Sequence, residues 1–228
     1  MTMISNNLKH IRDRIATACQ IAGRGAQDVR LLAVSKTFGP QAVRAAHAQG
    51  QRAFGENYVQ EALAKMAALA DLDGLQWHCI GPLQSNKTRA VAEHFQWCHS
   101  VDRFKIAERL SAQRPAHLPP LNVCIQVNMD GGDTKSGVPP ARALDLARQV
   151  AALPGLRLRG LMSIPDMTPD VADMRGVHER AKALFDALRA AGLTLDTLSM
   201  GMSADLEAAI AAGSTMVRVG TAIFGGRG

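Results

Sequence analysis

Aromatic residues are scarce in this chain: six Phe, two Trp and one Tyr among 228 residues. So few π-faces leave little on which nucleic-acid bases could stack. The excess of Lys and Arg behind a net charge of +6 is dispersed through every segment, with no basic run. Nucleic-acid binding is therefore not expected; the charge suits anionic small molecules or acidic protein partners. No uninterrupted apolar run approaches the roughly eighteen residues that a membrane-spanning helix needs, so no membrane partner is expected either. Cysteine is limited to Cys19, Cys79, Cys98 and Cys124, far apart, without a CxxC pair and among apolar neighbours. That is the pattern of buried thiols, not of disulfides or metal ligands. The opening stretch carries Lys9, Arg12, Asp13 and Arg14 between apolar positions, as an amphipathic helix does and a secretory leader does not. A cytoplasmic location is expected.

What is present is an apolar content of 47%, ample for a core, arranged in a regular alternation. Ile4, Leu8, Ile11, Ile15 and Cys19 recur at helical spacing, which predicts an opening helix to about Ala22, closed by Gly23 and Gly25. Behind it, strands are expected at 30–36, 52–56, 76–80, 96–101, 121–128, 156–164, 195–200 and 215–220. The seven segments between them read as helices, at 41–49, 57–69, 85–94, 103–112, 139–153, 172–191 and 203–212. Strict alternation specifies a parallel sheet with right-handed crossovers, and eight units in this length favour closure over an open doubly wound sheet. The expected fold is α/β, a single (β/α)8 TIM barrel over residues 1–228, with an extra N-terminal helix in residues 1–25 packed on it.

The first strand reads RLLAVSK and ends in Lys36, followed by Thr37, Phe38, Gly39 and Pro40. Alternation places Lys36 on the side of Val34 and Leu32, at the C-terminal end of a strand covered on both faces. One reading is a side chain that snorkels to solvent. The other is a partly desolvated amine whose pKa falls, so that the free base attacks a carbonyl to form a Schiff base. In barrels of this type the site forms at the strands' C-terminal ends, with phosphate held by the loops after strands 7 and 8. The first of those loops, SMGMSADLEAA, offers Gly201 and Ser203, the serine able to cap the helix that follows. The second, RVGTAIFGG, offers Gly220 and Thr221. Arg218 shares a face with Met216 and Gly220 and, once buried, requires a partner. That partner is either a glutamate such as Glu56 or an acceptor on a bound ring or phosphate. His78, on a face with Gln76 and Ile80, reads as a core histidine on residues alone.

Seven segments together resemble the pyridoxal phosphate homeostasis proteins, barrels of the fold-type III class related to the alanine racemase N-terminal domain. They are LLAVSK (31–36), FGENYVQEA (54–62), WHCIGPLQSNK (77–87), KSG (135–137), RGLMSIP (159–165), LSMGMSADLEAAIAAGSTMVR (198–218) and GTAIFG (220–225). The resemblance implies that Lys36 carries pyridoxal 5′-phosphate covalently as an internal aldimine. Ser203, Gly220 and Thr221 would hold the phosphate, Arg218 would face the pyridine nitrogen, and Asn57, His78, Ser163 and Met200 would surround the ring. Lys135 matches a family lysine in secondary contact with the cofactor, and Phe38 stands where close relatives can carry a second lysine.

The implied role is non-catalytic: to buffer vitamin B6, carry it and deliver it to apo forms of pyridoxal-dependent enzymes, with effects on amino-acid metabolism. An arginine, always protonated, cannot hand the ring nitrogen a proton as a carboxylic acid would, which makes the cofactor a poorer electron sink. The alternative is an amino-acid racemase of low activity, which needs a base on each face of the α-carbon. The related racemases bring a tyrosine from a second domain of the partner subunit, whereas Tyr58 is the one tyrosine here. A third reading makes the barrel a basic adaptor for an acidic partner, with the cofactor as a structural ligand. A monomer is expected, with no metal site.

Overall fold

Apolar runs of four to seven residues, buried on both faces, build the centre of the molecule. They are β1 (Arg30–Val34), β2 (Ala53–Glu56), β3 (Gln76–Cys79), β4 (Trp97–Val101), β5 (Leu121–Gln126), β6 (Leu156–Met162) and β8 (Met216–Val219), with the shorter β7 (Thr197–Ser199). All pair in parallel and in chain order, and β8 returns to β1 with Leu32 opposite Arg218, closing an eight-stranded barrel. The expected (β/α)8 architecture is found; the open sheet is excluded by the β8–β1 ladder. The structure is a computed structural model that describes residues 2–131, 136–165 and 171–226.

Between the strands run α2 (Pro40–His47), α3 (Val59–Ala68), α4 (Thr88–His94), α5 (Phe104–Gln113), α6 (Ala143–Ala151), α7 (Val171–Ala190) and α8 (Leu206–Ala211). Outward strand residues such as Phe54, Val123, Leu198 and Val217 pack with these helices in one large apolar cluster. The inside is filled separately. Leu32, Val34, Ala53, Ile80 and Met216 form an apolar group on one side, and Trp97, Cys124 and Met162 a second group. The opening helix α1 (Met3–Ile21) buries Leu8, Ile11 and Ile15. At about 1.5–3 kcal/mol for each fully buried aliphatic side chain, that contact holds α1 to the barrel. Its polar groups reach the last elements of the chain: Asn7 donates to the Ile223 carbonyl, and Arg14 donates to Glu207 and to the Ser203 carbonyl.

Three local expectations are corrected. β1 ends at Val34, so Lys36 stands in a turn beyond the strand. There the Phe38 N–H donates to the Ser35 carbonyl at 3.0 Å and Thr37 adopts φ +68°, which ends the extended backbone. Ser203 does not cap the next helix: α8 starts at Leu206 with Asp205 at its N-cap position. The Asp205 carboxylate instead accepts the Met202 N–H at 2.6 Å, a turn that takes up the residues before the helix. A short terminal helix, α9 (Thr221–Phe224), follows β8 where only a loop was expected. All four cysteines are free and buried, as their apolar neighbours foretold.

Candidate functional site

Four strands, β3, β4, β7 and β8, contribute polar side chains that are buried and joined to one another. Arg218, on β8, is 4% exposed and has no carboxylate partner among the described residues; the glutamate considered for it, Glu56, pairs with Lys65 instead. Its guanidinium donates through Nη1 to the Ser199 carbonyl (2.7 Å) and Ser199 Oγ (2.9 Å), and through Nη2 to the Ser163 carbonyl (2.8 Å). Burial draws its pKa down to about 10, which leaves the cation in place at neutral pH.

From Ser199 the polar chain continues. Ser199 Oγ lies 3.0 Å from His99 Nδ1, and His99 Nε2 lies 3.0 Å from His78 Nδ1. Burial, with Arg218 nearby, lowers the His99 pKa to about 3, and burial and His99 push His78 well below its ordinary value, so both rings are neutral. One proton arrangement satisfies all but the last member. Arg218 donates to Ser199, the Ser199 hydroxyl to His99, and His99 Nε2–H to His78. His78 then carries its proton on Nε2, a buried atom without a partner. Trp97 stacks on His78 with centroids 5.2 Å apart and planes 8° from parallel, and so fixes the ring's orientation.

The other expected residues fall as follows. Ser163, just past β6, is 2% exposed, and its Oγ is a second buried polar atom without a partner. Lys36 is half-buried in the turn after β1, beside Phe38, whose ring packs 5.1 Å from Phe224 of α9. Thr221 is exposed at the start of α9 and Gly220 is its N-cap residue. A Cβ at Gly220 would come within 3.1 Å of the Val34 carbonyl oxygen, so the last loop packs closely on the end of β1. Ser203 lies half-buried in the β7–α8 turn, which is also anchored by the buried His178–Asp205 contact at 2.9 Å. Met200 is fully buried with Leu198, Val217 and Ala209, so its side chain serves packing between sheet and helices. Lys135 lies outside the described residues. No group of three or more His, Cys, Asp or Glu among the described residues is arranged to hold a metal.

Sequence reasoning missed His99, Ser199 and Lys65. The His99 signal was present, because alternation in WCHSV puts it on the face of Trp97; Ser199 had none beyond its strand.

A model of the alanine racemase N-terminal domain matches residues 6–228. The chain belongs to that family. The chain is similar to the pyridoxal phosphate homeostasis protein of Pseudomonas aeruginosa, 59% identical over 227 residues, covering 100% of this chain and 97% of that protein. The Escherichia coli protein of the same name is 53% identical over 229 residues, covering 100% and 98%. PipY of Synechococcus elongatus, whose structure has been solved with PLP bound, matches with a TM-score of 0.86 and 39% identity over 97% of this chain and all of that one. The family expected from the seven segments is therefore the one found.

One family segment, WHCIGPLQSNK, contains Gly81, which the resemblance did not single out. A Cβ there would sit 2.4 Å from the Asn57 carbonyl oxygen and 2.8 Å from its Cα. Gly81→Ala is expected to force the turn after β2 aside at a cost of about 1–3 kcal/mol. Thermal unfolding is the measurement; a Tm within 1 °C of the parent would show that the turn yields freely.

Proposed function

We propose that this chain binds pyridoxal 5′-phosphate at the C-terminal mouth of the barrel, limits its free concentration and hands it to apo-enzymes, without turnover of its own. When bound, the cofactor supplies an aldehyde, which condenses with an amine with loss of water, and a phosphate dianion. The observation that carries the reading is two of the unpartnered buried polar atoms, His78 Nε2 at the far end of the polar chain that starts at Arg218 and Ser163 Oγ in the residue whose carbonyl Arg218 holds, together with a guanidinium that pairs with no carboxylate among the described residues. A folded interior leaves such groups open at a functional site far more readily than in a core. A flat heteroaromatic ring with acceptor atoms offers partners of the kind these groups lack. The homeostasis proteins named above and the PLP-bound PipY structure support the same choice.

Lys36 would hold the aldehyde carbon, Arg218 would face the ring nitrogen, and Ser203, Gly220 and Thr221 would receive the phosphate. Asn57, His78 and Ser163 would border the ring. Arg218 favours binding without turnover. Its proton stays on the guanidinium, and its neighbours Ser199 and Ser163 offer only carbonyl and hydroxyl oxygens, so the ring nitrogen receives no proton. Racemisation would ask Tyr58 to act as the second base; that side chain is 58% exposed at the head of α3 and makes no capping hydrogen bond there. The chain acts, in this reading, as one cytoplasmic, monomeric cofactor-binding domain over residues 1–228. No helix among the described residues is long and apolar enough to cross a membrane.

The test is the visible absorption spectrum of the purified protein after addition of pyridoxal 5′-phosphate, then borohydride reduction and peptide mapping. A single reduced adduct on Lys36 is expected. An adduct on another lysine overturns the site, and none at all overturns the function.

A further inference from the structure

Lys65 belongs to none of the residues considered for the cofactor, yet it is buried, 4% exposed, on the inner side of α3. Its Nζ lies 2.7 Å from the Ser35 carbonyl oxygen, 2.7 Å from Glu56 Oε1 and 2.6 Å from Glu61 Oε1. An ammonium has three N–H groups, and here each has its acceptor. Two further bonds draw the cluster around a single peptide segment. Ser35 Oγ donates to the same Glu56 oxygen at 2.6 Å, and the backbone N–H of Thr37 donates to the same Glu61 oxygen at 2.7 Å. The residues immediately before and after Lys36 are thus both tied to one ion cluster. Thr37 is the one non-glycine residue with positive φ among those described, at +68°. A β-branched residue takes that conformation only where its surroundings impose it.

An apolar side chain at position 65 would fill the same space without the desolvation that a buried lysine and two carboxylates require. The cluster therefore makes sense as a device for geometry. We propose that Glu61, Lys65 and Glu56 are positioning residues that clamp the Ser35–Thr37 backbone and so present the Lys36 amine to the barrel mouth for capture of an aldehyde. The inference rests on the reading of Lys36 as the capturing amine. In that capture the amine nitrogen bonds the aldehyde carbon, and the aldehyde oxygen leaves as water with the two amine protons. The clamp residues exchange no proton with either partner; they restrict where the amine starts.

Glu61 is the member to test, because its side chain is 31% exposed and its loss leaves the Lys65–Glu56 pair intact. Glu61→Ala should slow capture of pyridoxal 5′-phosphate about tenfold, the scale of the charged hydrogen bond lost at the Thr37 amide. Affinity for pyridoxamine 5′-phosphate, which keeps ring and phosphate but has no aldehyde, should be unchanged. Hydrogen exchange at the Thr37 amide should be faster in the variant without any ligand. Glu61→Gln keeps an oxygen that accepts from both Thr37 and Lys65, and should return capture to within about twofold of the parent. Unaltered capture in Glu61→Ala, an equal loss for both vitamers, or unaltered exchange at Thr37 each overturns the clamp. A parent protein that fixes no adduct overturns the Lys36 reading and this inference with it, and Thr37 exchange separates that failure from a clamp that does not hold.

Discussion

Lys36→Ala is expected to abolish covalent capture of pyridoxal 5′-phosphate, leaving no borohydride-fixed adduct and no visible absorbance after gel filtration. No substitute is at hand in the same place: the nearest lysine along the cluster, Lys65, has each N–H group against an acceptor and is buried. The variant should fold normally. Lys36 stands in a turn held by the backbone groups of Ser35 and Thr37, which the substitution leaves alone, so its stability should stay within about 0.5 kcal/mol of the parent. Weak binding through the ring and phosphate should survive, since Arg218, Ser203 and Thr221 are untouched. An adduct that persists in Lys36→Ala would transfer the function to another amine. A cellular phenotype that persists without any adduct would favour the adaptor reading over the carrier.

Lys65→Met is expected to cause the largest loss of stability, about 3–5 kcal/mol, because it removes the cation from a buried ion pair and leaves the carboxylate behind. Glu56 is 1% exposed, and its Oε2 has no partner. Burial raises its pKa, and the hydrogen bonds from Lys65 and Ser35 only partly offset that, so the carboxyl sits above its ordinary value of 4.5 even in the intact protein. A carboxyl with a raised folded-state pKa contributes stability that is full below the unfolded value and lost as pH rises through the folded one. Without Lys65 the burial effect stands less opposed. The deficit in Lys65→Met should accordingly be greatest near pH 7 and shrink as pH falls towards 5. Urea unfolding of parent and variant across that range measures it. Adding Glu56→Gln to Lys65→Met should recover most of the loss at neutral pH, since the charge left unpaired is then gone. A deficit independent of pH, and not relieved in the double variant, would mean that packing of the lysine stem, and not charge, accounts for the cost.

The barrel and its polar lining differ in how far they can be read from the chain. Alternation of strand and helix, with closure at the eighth unit, was legible because burial on both faces makes each parallel strand an apolar run bounded by turn residues. Lys36 stood out for the same reason, as an amine ending such a run. Its strand assignment failed, because the turn at Thr37 depends on an acceptor supplied by Glu61, 24 residues on. The burial of Arg218 followed from alternation along β8, whereas its partners did not: they are Ser199 and Ser163, 19 and 55 residues away and brought together only by the order of strands in the barrel.

By itself, then, the order of residues determined the eight-unit barrel, the family and the singling-out of Lys36 near the end of the first strand's apolar run, since each is written in short-range periodicity or in contiguous motifs. Tertiary structure alone decided that Glu56 answers Lys65 and not Arg218, that His78 ends a chain of four side chains from four strands, and that a buried lysine on α3 brackets the amine. Those are choices among polar groups far apart in sequence, and a polar group's partner is settled only when the closed sheet excludes water and leaves a few donors and acceptors within reach of one another.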